Sequence, residues 1–151
     1  MKKLKSSELR KGRVSIDHQI YLITAVTNKR RPVFLDLHAG RELVKILNDA
    51  SQGVKTICYV IMPDHLHWLM QLKRKQSLSK VVQKIKSKSG FHIKQKLRLT
   101  ENLWQTGFHD HALRREEDIK SVARYVVANP LRAGLVDEIG NYALWGACWP
   151  K

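Results

Sequence analysis

Val54-Lys-Thr-Ile-Cys-Tyr-Val-Ile-Met-Pro-Asp-His-Leu-His-Trp-Leu-Met-Gln-Leu72 is the stretch whose reading decides the fold. Val54 to Met62 is rich in β-branched and apolar residues, Pro63-Asp64 is a turn signal, and His65 to Leu72 is a second strand-like run. Two consecutive strands joined by a short turn imply an antiparallel pair. Upstream, Leu43, Val44, Leu47 and Ala50 recur at helical spacing over about Ala39 to Ser51, with Gly53 as a stop. Before that helix, residues 18–27 read as a strand, and Asn28 to Arg31 as a basic turn closed by Pro32. Downstream, Ser77 to about Lys96 is a longer helix that buries Leu78, Val81, Val82, Ile85 and Ile93. Trp104 to Leu113 reads as a hairpin or fourth strand. Glu116 to Asn129 reads as the last helix, followed by a Pro- and Gly-broken tail.

The resulting order is strand, helix, strand, strand, helix, strand, helix. It predicts an α+β fold of the ferredoxin-like, split βαβ or RRM-like kind. An antiparallel sheet has helices packed on one face, and an added C-terminal helix carries Tyr125. Residues 1–151 suit a single domain, with 1–13 as a basic N-terminal segment.

Within the decisive stretch, His65 and His67 alternate with Leu66. Side chains two apart on a strand share a face, so both imidazoles emerge on one side, roughly 6.5 to 7 Å apart along the backbone. Such a pair is half of a site for a divalent metal. On the last helix, Ile119, Val122, Ala123, Val126 and Val127 form the apolar stripe. Tyr125 and Asn129 fall on its flank, one turn apart. Taken alone, Tyr125 reads as a half-buried aromatic and Asn129 as a C-cap before Pro130. Glu116, Glu117 and Asp118 sit in the first turn, where acids favour the helix dipole.

Charge supplies the global signal. The chain has 151 residues, with 28 Lys and Arg against 13 Asp and Glu, a net +15. Between His65 and Thr100 there are ten basic residues and no acid. Segregated positive charge on a small domain implies a polyanionic partner. Lys80, Lys84 and Lys88, at successive i, i+4 positions, form a phosphate track with Lys73, Arg74 and Lys75. Arg114 and Arg132 flank the last helix within reach of a phosphate. No run approaches the ~18 apolar residues of a membrane span, so the expected setting is cytoplasmic, at the nucleoid, with no membrane partner. Cys58 and Cys148 form no metal or redox pattern. There is no glycine-rich phosphate loop and no Ser-His-Asp order.

The segment Tyr59-Val-Ile-Met-Pro-Asp-His-Leu-His-Trp-Leu69 resembles the His-hydrophobic-His motif of the IS200-like single-tyrosine transposases. Leu103-Trp-Gln-Thr-Gly-Phe-His-Asp-His-Ala-Leu-Arg114 and Tyr125-Val-Val-Ala-Asn-Pro-Leu-Arg-Ala-Gly-Leu-Val136 are similar to the REP-associated branch. The resemblance extends over about residues 13 to 149. It implies a metal-dependent nuclease and strand transferase that cuts and rejoins hairpin or palindromic single-stranded DNA through a 5′-phosphotyrosine intermediate. By matched position, Tyr125 would be the nucleophile, and His65, His67 and Asn129 the ligands of Mg²⁺ or Mn²⁺. Two imidazoles suit Mn²⁺ better than Mg²⁺. Relatives contact DNA through the N-terminal basic segment, to which Arg13 belongs. Asp64 stands where many relatives carry asparagine. One tyrosine per chain fits either a monomer or a homodimer. The alternative is a catalytically inactive or RRM-like regulator that binds palindromic repeats.

Two further features are open at the sequence level. His109-Asp110-His111 is a second His-x-His, suited to hydrogen bonding near the site, to DNA contact, or to zinc together with Asp64. Trp68 and Trp104 are candidates for stacking on unpaired bases or for the core.

Overall fold

Pro63 and Asp64 turn the chain between β2 (Val54–Met62) and β3 (His65–Leu72), which pair antiparallel with Met62 opposite His65 and Val60 opposite His67. The computed structural model describes residues 18–49, 53–114 and 118–147. Arg13, Glu116, Glu117 and Cys148 therefore lie outside the described residues. The other strands are β1 (Ile20–Val26), β4 (His109–Ala112) and β5 (Trp145–Ala147). They form one five-stranded sheet in the order β4-β1-β3-β2-β5, with every pair antiparallel. The first four strands have the expected ferredoxin-like order. β5 extends the edge at β2; its three residues are too short a run for alternation to reveal.

The two helices between the strands are α1 (Leu37–Leu47) and α2 (Leu78–Leu97). Asp36 caps α1 by accepting from the His38 and Ala39 amides, and Ser77 caps α2 by accepting from Lys80. α1 stops at Leu47, short of the expected Ser51. Both helices cover one face of the sheet, where Tyr21, Ile23, Leu66, Trp68, Met70 and Leu72 meet Leu43, Leu47, Leu78, Val82 and Ile85.

The opposite face carries a second, smaller core. There α3 (Ile119–Val127) packs Ala123 and Val126 onto Val60, Met62 and Leu69. Asp118 caps α3, its carboxylate accepting from the Lys120 amide and the Ser121 hydroxyl. Of the expected helix Glu116–Asn129, the start at Glu116 lies outside the described residues, and the described part is corrected. The helix starts at Ile119, and Pro130, which has no N–H, interrupts it after Val127; a short α4 (Asn129–Arg132) follows at once. Tyr142 folds the tail back by donating its hydroxyl to the Ile61 carbonyl. Among the described residues, no helix is long and apolar enough to cross a membrane.

Of Trp104 to Leu113, only His109–Ala112 is strand, paired with β1; Trp104 makes an isolated bridge to Thr27. The intervening loop is fastened to α2. The Trp104 indole donates to Ser89 Oγ at 2.9 Å, and Lys86 donates to the Gln105 and Gly107 carbonyls. Trp68 (1% exposed) and Trp104 (8% exposed) are both core, which removes them as base-stacking platforms.

Candidate active site

Strand alternation sends Leu66 and Trp68 into the larger core and leaves His65 and His67 on the α3 face, half-buried beside Val60 and Met62. Their ring centroids are 4.8 Å apart, edge to face. Each Nδ1 is held from behind. His65 Nδ1 donates to Asp64 Oδ1 at 2.7 Å, and Asp64 Oδ2 is paired with Arg30 Nη1 at 3.1 Å. His67 Nδ1 shares a hydrogen bond of 3.0 Å with Thr24 Oγ1 on the neighbouring strand. The turn aspartate therefore orients the first histidine as well as closing the hairpin. With both Nδ1 atoms engaged, the two Nε2 atoms are the ones left available to a ligand, the arrangement usual for histidines that bind metals.

Charge distribution supports the same role. Burial, then the charges of His65 and Arg132, push His67 down to about 4, so its ring is neutral at physiological pH. A neutral imidazole can ligate without first losing a proton. Burial works to raise the Asp64 carboxyl. The hydrogen bonds and charges of His65 and Arg30 outweigh it and hold the group below its ordinary range.

Tyr125 projects from α3 and is 63% exposed, so its phenol is open to a substrate. The Arg132 guanidinium, one short helix later, lies over the Tyr125 ring with 3.8 Å from its carbon to the centroid. Arg132 thus faces two groups: it stacks on Tyr125, and its charge bears on His67. α3 packs against β2, β3 and β5, which brings the tyrosine helix onto the histidine strand.

Asn129 does not continue α3 beneath Tyr125, because the helix is broken between them. Its Nδ2 donates to the Val126 carbonyl at 2.9 Å, leaving Oδ1 as the acceptor end of the amide. Among the described residues, no three His, Cys, Asp or Glu side chains converge as a metal site. A third ligand from those residues would therefore be of another type, which an amide oxygen satisfies. Two imidazoles with free Nε2 atoms and one amide oxygen fit a divalent ion with waters completing its shell. The same absence removes zinc between His109, His111 and Asp64.

The expected basic contacts are spread more widely. Arg114 is exposed just past β4, next along the chain from Leu113, which is buried in the smaller core. Lys80, Lys84 and Lys88 belong to α2, on the far face, and Lys88 also faces Asp49 at 3.8 Å. The structure does not bring these lysines to the histidines. A cleft of about 480 Å³ between α2 and the 102–107 loop contains neither histidine of the pair nor Tyr125. Sequence reasoning missed Thr24 and Arg30. Only strand pairing and the hairpin turn reveal them as supports of the histidines.

The family described as "Transposase IS200 like" matches residues 15–129, which include both histidines, Tyr125 and Asn129. No curated protein matches the chain. Among solved structures, it is similar to a REP-associated tyrosine transposase bound to a REP hairpin. That likeness has a TM-score of 0.70 at 21% identity, over 96% of this chain and 82% of the other. It is also similar to a proposed transposase from Deinococcus radiodurans R1, with a TM-score of 0.58 at 22% identity, over 77% of this chain and 94% of the other. Both likenesses are of fold.

Proposed function

The chain belongs to the IS200-like transposase family, and on that footing we propose that it cuts and rejoins single-stranded DNA at a hairpin through a phosphotyrosine at Tyr125. The observation that carries this reading is Arg132, which stacks on the exposed phenol and bears on the neutral histidine. A free phenol titrates near 10 and is a weak nucleophile at neutral pH. A guanidinium stacked on the ring orients the phenol and sets a fixed positive charge beside it that attracts the scissile phosphate.

Tyr125 Oη attacks phosphorus, the bond to the 3′-oxygen breaks, and the strand is left with a 5′-phosphotyrosine and a free 3′-hydroxyl. The phosphodiester energy is kept in the tyrosyl ester, so rejoining needs no nucleotide cofactor. His65, His67 and Asn129 would hold a divalent ion, Mn²⁺ or Mg²⁺, which when bound aligns the phosphate and neutralises developing charge. Asp64 and Thr24 fix the two rings in the orientation that presents Nε2. Arg114 and the α2 lysines serve hairpin binding, in keeping with the net +15.

A base-stacking module of the RNA-recognition kind needs exposed aromatics on its central strands. Here β1 and β3 present Thr24, His65 and His67, and bury Tyr21 and Trp68. The decisive experiment is a denaturing gel of end-labelled, hairpin-bearing single-stranded DNA incubated with protein and Mn²⁺ or Mg²⁺. The expected result is a labelled species carrying the mass of the protein, absent with Tyr125→Phe. Tight hairpin binding without an adduct would instead identify a regulatory binding protein.

A further inference from the structure

Strand register places a further imidazole in line with the histidine pair. On β1, Thr24 pairs with His67 of β3 on one side and with His109 of β4 on the other. Directly opposed residues on neighbouring strands share a face, so His109, Thr24 and His67 form one row across the site side of the sheet. Adjacent strands lie about 4.8 Å apart, which puts the two imidazole columns roughly 10 Å from each other. That is the width of a phosphodiester group held between a ligating ring and a hydrogen-bonding ring. The His109 side chain is exposed and, among the described residues, makes no hydrogen bond, ion pair or ring contact. His111 also shares the face, but it is opposite Leu22, one step further along the strand, and is already partnered.

The reaction proposed for Tyr125 needs such a group. When the P–O3′ bond breaks, its electron pair stays on the 3′-oxygen, an alkoxide unless it is protonated. None of the groups assigned above donates that proton. His65 and His67 have their Nδ1 atoms engaged and their Nε2 atoms reserved for the ion, and Arg132 holds its protons too firmly.

We propose that His109 is a catalytic residue, the general acid for the leaving 3′-oxygen. As Tyr125 Oη bonds to phosphorus and the P–O3′ bond opens, the His109 imidazolium gives its proton to O3′. The phenol proton departs to solvent. On rejoining, the neutral His109 ring takes the proton from the 3′-hydroxyl as O3′ attacks phosphorus and the tyrosyl oxygen leaves. The inference rests on Tyr125 being the nucleophile, and the test separates the two.

The test compares wild type, His109→Ala, His109→Gln and Tyr125→Phe, each with Mn²⁺, on two hairpin substrates. One has a natural phosphodiester at the cleavage site; in the other, sulfur replaces the bridging 3′-oxygen and leaves as a thiolate that needs no proton. His109→Ala and His109→Gln are expected to form adduct about 100-fold more slowly on the oxygen substrate. Both should approach the wild-type rate on the sulfur substrate, with hairpin binding intact. Tyr125→Phe should fail on both. Equal loss on the two substrates would overturn the general-acid role and leave His109 a binding or structural residue. So would undiminished cleavage of the oxygen substrate. Wild type forming no tyrosine adduct on either substrate would overturn the parent reading, and this inference with it.

Discussion

The guanidinium carbon of Arg132 lies 3.8 Å from the centroid of the Tyr125 ring, joining a residue of α4 to one of α3 across the break made by Pro130. A cation against an aromatic face is worth about 0.5–1 kcal/mol at an exposed site. The stack therefore orients the phenol without immobilising it. Arg132→Gln removes both the stack and the charge. Adduct formation should fall roughly tenfold or more at saturating hairpin, as expected for loss of ~1.4 kcal/mol in the transition state. Arg132→Lys keeps a cation but loses the planar fork, and should be intermediate. Single-turnover gels would show this; an unchanged rate in Arg132→Gln would remove Arg132 from the chemistry.

His67 gives a pH signature to the metal-free protein. Its ring is pushed down to about 4 in the fold, against an ordinary value of 6.5. On acidification the unfolded chain takes up this proton first. The histidine's contribution is therefore complete above about pH 6.5 and lost as the pH falls toward 4, with no further loss below. Its size is on the order of 2 kcal/mol after allowance for solvent screening. Urea unfolding in EDTA at a series of pH values should show wild type losing more stability across this window than His67→Gln. Parallel pH curves would contradict the neutral, half-buried ring.

Asp64 is the residue whose job the turn alone did not reveal. Its short hydrogen bond to His65 Nδ1 and its pair with Arg30 make it an orienting group behind a ligand. Removing such a partner weakens metal affinity by about 10–100-fold. Asp64→Ala should show that loss in a Mn²⁺ titration by calorimetry. Asp64→Asn, which keeps an acceptor oxygen for Nδ1–H, should lose less. Equal losses would point to the charge of Asp64 rather than its hydrogen bond.

The first three strands, both long helices and the common face of His65 and His67 were legible because period-2 and helical spacing are local signals. Spacing and the family resemblance single out Tyr125 and Asn129 together, but their mutual geometry was not legible. Helical periodicity assumes an unbroken backbone, and Pro130 breaks it. The supports of the site, Thr24 and Arg30, come from register and from a turn, which no single stretch of sequence encodes. The sheet face was also hidden. Lys80, Lys84 and Lys88 look adjacent to the histidines along the chain, yet α2 carries them to the other side of the sheet.

That placement makes a separable prediction for the lysines. Replacing Lys80, Lys84 and Lys88 by Gln should weaken hairpin binding and lower the slope of log affinity against log salt, by up to about one for each phosphate no longer neutralised. The rate of adduct formation at saturating hairpin should not change, because none of the three reaches the tyrosine or the histidines. A slower reaction at saturation would mean that the DNA wraps round the sheet edge and that the two faces act together.

Gly146 controls how the added edge strand is seated. It pairs with Tyr59, and a Cβ at this position would lie 2.7 Å from Tyr59 Cε1 and Oη and 2.8 Å from Cζ. Tyr59 is only 7% exposed, so its ring must shift within the sheet edge to make room. Gly146→Ala should cost about 1–3 kcal/mol, the usual range for overpacking. Because α3 packs against β5, loosening this edge should also slow adduct formation, while hairpin binding changes less. Trimming the facing tyrosine tests the cause. Combining Gly146→Ala with Tyr59→Leu should recover more stability than the sum of the two single changes allows. A strictly additive double variant would show that the glycine is needed for something other than the tyrosine ring.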